Sequence, residues 1–226
     1  MNTQGNKEIT KDSHGIFFID LPKKTDEVFI SIIFRFGYYN EPDKSFGLTH
    51  LLEHLIVDSI RQKLNTGDID GSIDNRVTRF DFKTSKRDMI KFLSDSFNEI
   101  FQPGLKDVKL LSKEKARIRI ELYEKYSDFK NQLRHEIIRT LVRLPDFIRR
   151  NRTDQLRNVE RATASDLKRA HRLLVSHQPT IFIGGYNLSL KQRKMLSNVA
   201  YFTKPKNWAM PNSLDVVLSE KKQRVI

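Results

Sequence analysis

Apolar side chains recur along this chain with two different periods, and the changes of period divide it into elements. Residues 14–20 and 27–36 are rich in β-branched and aromatic side chains, with Asp20-Leu21-Pro22-Lys23-Lys24 between them as a turn, which predicts a pair of neighbouring strands. Residues 37–46, with Asn40, Pro42 and Asp43, predict a loop. Leu48, Leu51, Leu52, Leu55, Ile56 and Ile60 then follow a helical period, predicting a helix over 48–64, and residues 65–70 break it with Asn, Gly and Asp. Residues 73–84 predict a strand or hairpin with Val77, Phe80 and Phe82 as its apolar members. An amphipathic helix over 88–101 is stopped by Pro103-Gly104, and a longer helix runs from 106 to about 128. Further helical segments reach about residue 154, and Thr163-Ala164-Ser165-Asp166 starts a helix before residues 167–174. A buried strand over 180–184 and a helix over 188–200 complete the order. Strands, helix, strand, several helices, strand and helix give an α+β class: a largely antiparallel sheet with helices packed on one face.

Composition sharpens this. The 226 residues, 38% hydrophobic and 10% aromatic, are enough for one well-buried domain, which we place at 1–204 with a C-terminal tail at 205–226. No apolar run reaches bilayer length, and residues 1–15 are polar and mixed in charge, unlike a signal peptide or anchor; the expected location is cytoplasmic. With no cysteine, thiolate metal sites and cysteine nucleophiles are excluded, so a metal site must use His, Asp or Glu. The net charge of +13 owes much to residues 130–172, including Arg134, Arg139, Arg143, Arg149, Arg150, Arg152 and Arg157. Their interleaving with Ile137, Ile138, Leu141, Val142 and Leu144 reads as an amphipathic helix with a solvated basic face. The alternative is an acidic partner: nucleic acid, an acidic peptide or a second subunit. No zinc-finger or aromatic RNA-binding motif accompanies the charge, which disfavours a nucleic-acid module.

The chemistry lies in His50-Leu51-Leu52-Glu53-His54. Positions i and i+4 of a helix share a face, so His50 and His54 present two imidazoles to one point, with Glu53 beside them. This is the inverse of the commoner zincin motif and the pattern of an inverzincin metallopeptidase, a hydrolase. A zinc ion there lowers the pKa of a bound water to about 7. Glu53 is then the general base that takes the proton and returns it to the leaving amine. The same pattern is also compatible with two half-buried histidines and a surface acid, but three clustered polar groups on an otherwise apolar stretch call for an explanation. A catalytic zinc takes three protein ligands, and the helix over 106–128 offers Glu114, Glu121 and Glu124. Glu114 and Glu121 lie two turns apart on one face, which favours Glu121 as ligand and Glu114 as the partner that orients a histidine. Spacing does not separate Glu121 from Glu124. His14, His135, His171 and His177 have no ligand-spaced partner and read as surface or packing residues.

The run Phe36-Gly37-Tyr38-Tyr39-Asn40-Glu41-Pro42 followed by Gly47-Leu48-Thr49-His50-Leu51-Leu52-Glu53-His54 closely resembles the pitrilysin family, which includes insulin-degrading enzyme and the mitochondrial processing peptidases. Asn75-Arg76-Val77-Thr78 resembles a strand of that family, Glu114 and Glu121 match its paired glutamates, and Asp166 through Gly185 is similar to its later helix and strand. The resemblance covers residues 16–204. It implies His50, His54 and Glu121 as ligands of one Zn2+ per chain, and Glu53 as base. It also implies Asn75, Arg76, Val77 and Thr78 as part of an edge strand that pairs with extended peptide. This chain departs from the family in a short interval between His54 and Glu121, with a hairpin trimmed after Thr78, and in Arg76 where the family has alanine.

Members of that family are built from two or more homologous domains around a chamber, the second half supplying arginine and tyrosine groups. One such domain is present here. The expected function is therefore a zinc-dependent endopeptidase module that cleaves unstructured peptides, with peptide maturation or leader removal as a setting. A second homologous subunit, as in a heterodimer, or a homodimer would complete it. Two alternatives stand beside it: a regulatory or assembly subunit of a split peptidase, and a basic binding module in which the motif is fortuitous.

Overall fold

A computed structural model describes residues 9–64, 68–105, 107–133, 137 and 152–202. Six strands form one sheet: β1 (Ile9–Lys11), β2 (Ile16–Asp20), β3 (Glu27–Phe34), β4 (Asp68–Ile73), β5 (Thr78–Ser85) and β6 (Thr180–Gly185), in the order β1-β2-β6-β3-β5-β4. Five neighbouring pairs result, of which only β2–β6 is parallel. The helices with both ends among the described residues include α1 (Leu48–Lys63), α2 (Met89–Phe101), α3 (Val108–Ser127), α4 (Arg152–Arg161), α5 (Ala164–Ser176) and α6 (Leu190–Phe202). The class is α+β, as the order of periods predicts.

Alternation along the strands shows why the helices share one face. In β3, Val28, Ile30, Ile32 and Phe34 are buried while Glu27, Ser31 and Ile33 are not, and Phe80 and Phe82 of β5 continue the buried side. Against it lie the apolar stripes of α1 (Leu51, Leu52, Leu55, Ile56) and α2 (Phe92, Leu93, Phe97, Ile100). Among the described residues no helix is long and apolar enough to cross a membrane.

Two features differ from the expected order. The strands β2 and β3 are not neighbours, because β6 lies between them. The connection after β2 crosses the end of β6, where Leu21 packs 3.7 Å from the place a Cβ on Gly184 would take, and Leu21 N–H donates to Gly185 C=O at 3.2 Å. The apolar run Ile181-Phe182-Ile183-Gly184-Gly185 suits a central strand flanked on both sides. The second difference is β4, which occupies Asp68–Ile73, partly where a break is expected. It pairs with β5 through a tight turn in which Asp74 Oδ1 accepts Arg76 N–H at 2.6 Å and Val77 N–H at 2.8 Å. Residues 134–136 and 138–151, with Arg134, Arg139, Arg143, Arg149 and Arg150 of the basic segment, lie outside the described residues, as do 1–8 and the tail at 205–226.

Helix starts follow the expected chemistry. Asp107 caps α3 by accepting from Lys109 N–H and Leu110 N–H. Thr163 caps α5 in a reciprocal box: its Oγ1 accepts Asp166 N–H at 3.2 Å, while Asp166 Oδ2 accepts Thr163 N–H at 3.0 Å and the Thr163 hydroxyl at 2.6 Å. The Thr163 hydroxyl, then the Thr163 N–H, holds the Asp166 carboxyl below its usual pKa. A depressed folded-state pKa means that this stabilisation is present above the unfolded value and is lost as pH falls through the folded one. Thr163→Ala is expected to cost about 1 kcal/mol in urea denaturation at pH 7, and the difference from the parent should shrink as pH falls below about 4.

Candidate metal centre

The start of α1 carries His50, Glu53 and His54 on the side that faces α3 and β4. Their ligating atoms lie within 4.8 Å of one another, forming a group able to hold a metal ion. The two imidazole rings meet edge to face with centroids 4.7 Å apart. Glu121 reaches in from α3: its Oε2 stands 3.5 Å from His50 Nε2 and 3.4 Å from His54 Nε2. Donors at 2.0–2.2 Å from a tetrahedral zinc stand about 3.3–3.5 Å from each other. Glu121 Oε2 therefore already stands from each imidazole nitrogen as neighbouring ligands do, and two imidazoles with one carboxylate are a fitting donor set. Of the two acids that spacing left open, Glu121 is the one brought to the histidines, whereas Glu124 is exposed.

Glu114, seven residues before Glu121, is fully buried and accepts His54 Nδ1–H through Oε2 at 3.0 Å. That bond leaves the Nε2 lone pair of a neutral His54 aimed at Glu121. A buried carboxylate needs compensation, and Arg117 supplies it with Nη1 at 3.2 Å and 3.4 Å from the two oxygens. Burial, then the neighbouring His54 and Lys125, pushes the His50 imidazole down to about 3, so it is neutral, the form that ligates metal.

Glu53 occupies the wall opposite Glu121. Its carboxylate lies so close to β4 that a Cβ on Gly71 would stand 1.7 Å from Glu53 Oε1, so glycine is the residue the approach requires. Arg61, two turns further along α1, donates from Nη2 to Ile69 C=O at 2.6 Å and fastens the same strand to the helix. Burial pushes the Glu53 carboxyl up to about 8, with Glu121, Asp70 and Glu114 adding to the rise and Arg61 opposing it. A dication bound beside it would act in the opposite direction. These groups, with Tyr38, Ile73 and Leu122, line an open cavity of about 360 Å³.

The segment Asn75 to Thr78 is placed differently from the edge strand that the resemblance implies. Asn75 and Arg76 form the turn between β4 and β5, and the loop before α1 holds its first half: Tyr38 N–H donates to Asp74 C=O and Tyr39 N–H to Asn75 C=O, both at 2.9 Å. Val77 leads into β5, and Thr78 is buried, its hydroxyl donating to Phe36 C=O at 2.7 Å. The free edge of the sheet beside the cavity is β4, Asp68–Ile73. Gly71, Arg61 and Tyr38 were not reached from sequence. Only the Gly-Ser pair at 71–72 within a β-like stretch signals a close approach.

No protein-family model and no curated protein matches the sequence. Solved structures do match it in fold. A protease from Helicobacter pylori superposes with a TM-score of 0.70 at 17% identity, covering 92% of this chain and 53% of its own. The periplasmic protease PqqL from Escherichia coli gives 0.73 at 14%, covering 95% and 26%, and pitrilysin gives 0.69 at 17%, covering 92% and 24%. The chain has the fold of a pitrilysin-type peptidase domain. It spans about half the length of the first of these proteins and about a quarter of the other two.

The geometry predicts one zinc per chain in a titration followed by elemental analysis, with binding lost in His50→Ala and His54→Ala. Glu114→Gln should weaken it by about 10–100-fold. A wild-type chain that takes up no zinc at micromolar concentrations would contradict the assignment.

Proposed function

We propose that this chain is the metal-bearing domain of a zinc-dependent endopeptidase acting on unstructured peptides. The observation that carries this reading is the single Glu121 oxygen placed 3.4–3.5 Å from both imidazole Nε2 atoms, with Glu53 left over on the facing wall. Glu53 could itself be a ligand, since it belongs to the same cluster. Glu121 makes that unnecessary: it would complete three ligands, leaving Glu53, 3.8 Å from His54 Nε2, free to act on a water in the fourth position.

Zinc held by His50, His54 and Glu121 would supply an acidified water and polarise the scissile carbonyl. The protein's own groups do the rest. Glu53 accepts the water proton and hands it to the departing amine. The unpaired edge of β4 offers backbone N–H and C=O groups to an extended peptide, which lies directly beside Glu53 because Gly71 carries no side chain. A peptide with no structure of its own can take the extended form this edge pairs with, which favours unstructured peptide as the substrate class. Completion of the cleft by a second homologous subunit or a second copy of this chain belongs to the same reading.

On a disordered reporter peptide, with the completing subunit present, Glu53→Gln should lower cleavage by on the order of 10²–10⁴-fold while keeping zinc and the fold. Cleavage that survives this substitution would sink the general-base role. Gly71→Ala should bind zinc like the parent yet cleave at least about tenfold more slowly, since the added methyl displaces Glu53 from the strand. Unchanged kcat/KM in that variant would show that the close approach has no catalytic consequence.

A further inference from the structure

The two imidazoles are held by different means. His54 has Glu114 on its Nδ1. His50 Nδ1 is buried and has no hydrogen-bond partner among the described residues. Its ring makes edge contacts with Tyr38, at 6.5 Å between centroids, and with His54, while at its other nitrogen the Glu121 carboxylate stands 3.5 Å from Nε2. The position of His50 Nε2 therefore follows from the backbone of the first turn of α1, in which His50 is the third residue.

That turn has no ordinary cap. The residue before it is Gly47, in the left-handed region at φ +91°, with Gln155 Cγ only 2.4 Å from where a Cβ would stand. Helix starts leave their first N–H groups without partners in the helix. Here a carboxylate from the preceding loop meets them. Glu41, 3% exposed, accepts Gly47 N–H through Oε2 at 2.7 Å and Thr49 N–H through Oε1, also at 2.7 Å. Both bonds are short and charge-assisted, and the anion sits at the positive end of the helix dipole. One of the two held residues, Thr49, immediately precedes His50.

We propose that Glu41 is a positioning residue for the metal centre: by clamping the backbone on both sides of Leu48, it sets where His50 presents Nε2 to the ion. This rests on the metal-site reading above. A capping role alone would cost stability and leave the metal untouched, as expected for Thr163 at the start of α5. A positioning role moves the metal as well. In Glu41→Gln the amide nitrogen faces a backbone N–H and one of the two acceptors is lost. In Glu41→Asp the charge stays, but the shorter side chain cannot span both donors.

The test measures zinc affinity by chelator competition and the visible d–d spectrum of the cobalt-loaded protein, for wild type, Glu41→Gln, Glu41→Asp and Thr163→Ala. Glu41→Gln should bind zinc at least about tenfold more weakly and alter the cobalt bands, with Glu41→Asp shifted in the same direction. Thr163→Ala, of lowered stability, should match wild type in both. If Glu41→Gln does not fold, Glu41→Asp carries the same comparison. Affinity within about twofold of wild type and an unchanged spectrum in a folded Glu41 variant would overturn the proposal. Failure of wild type to bind either metal would instead overturn the metal-centre reading itself.

Discussion

Two imidazoles one helical turn apart offer a metal only half of what it needs, and the other half must be delivered by a second helix in a fixed register. The contact that sets this register is the buried Glu114–His54 hydrogen bond, 3.0 Å long. An unpaired carboxylate in the interior costs several kcal/mol, so α3 cannot slide along α1 without exposing or orphaning Glu114. Arg117 and Lys113, both partly exposed, balance the charge from the solvent side. Seven residues further along, about 10.5 Å at 1.5 Å per residue, Glu121 reaches the cavity at the height of both Nε2 atoms. One buried contact thus orients a histidine, fixes the helix pair and delivers the third donor.

The sheet contributes the opposite wall. β4 is an edge strand with no further strand beyond it among the described residues, and Gly71 lets the helix carrying Glu53 come within contact of it. The same strand is fastened to α1 by Arg61 through Ile69 C=O. A residue with a side chain at position 71 would separate the glutamate from the sheet edge. The fold therefore brings together three unlike things in one cleft: a donor set, a proton acceptor and a row of free backbone groups.

Much of this was legible in sequence where a local period governs it. The turn of the helix places His50, Glu53 and His54 together, and it places Glu114 and Glu121 in line. At 100° per residue Glu124 falls about 80° off the line through Glu114, which is the geometric reason it ends up in solvent; spacing alone could not say which line faced the histidines. What depends on distant segments was not legible. β6 enters between β2 and β3 from more than a hundred residues away, so adjacency in sequence misplaced that pair. The segment 75–78 carries the family-like residues, but Asn75, whose C=O is taken by Tyr39 N–H, turns with Arg76 into β5, which Thr78 begins, and the edge is left to β4. Gly71 and Glu41 act through the space beside them and the backbone they touch; a Gly-Ser pair in a β-like stretch hints at the first, and no pattern of residue types announces the second.

The central claim is that His50, His54 and Glu121 hold the ion while Glu53 stays free of it. A crystal structure of the zinc-loaded chain, with the ion located by its anomalous scattering, tests this most directly. The account predicts one zinc bonded to His50 Nε2, His54 Nε2 and a Glu121 oxygen, with Glu53 outside bonding distance beside Gly71. A zinc ligated by Glu53 with Glu121 turned to solvent, or an ion bound elsewhere on the chain, would contradict it.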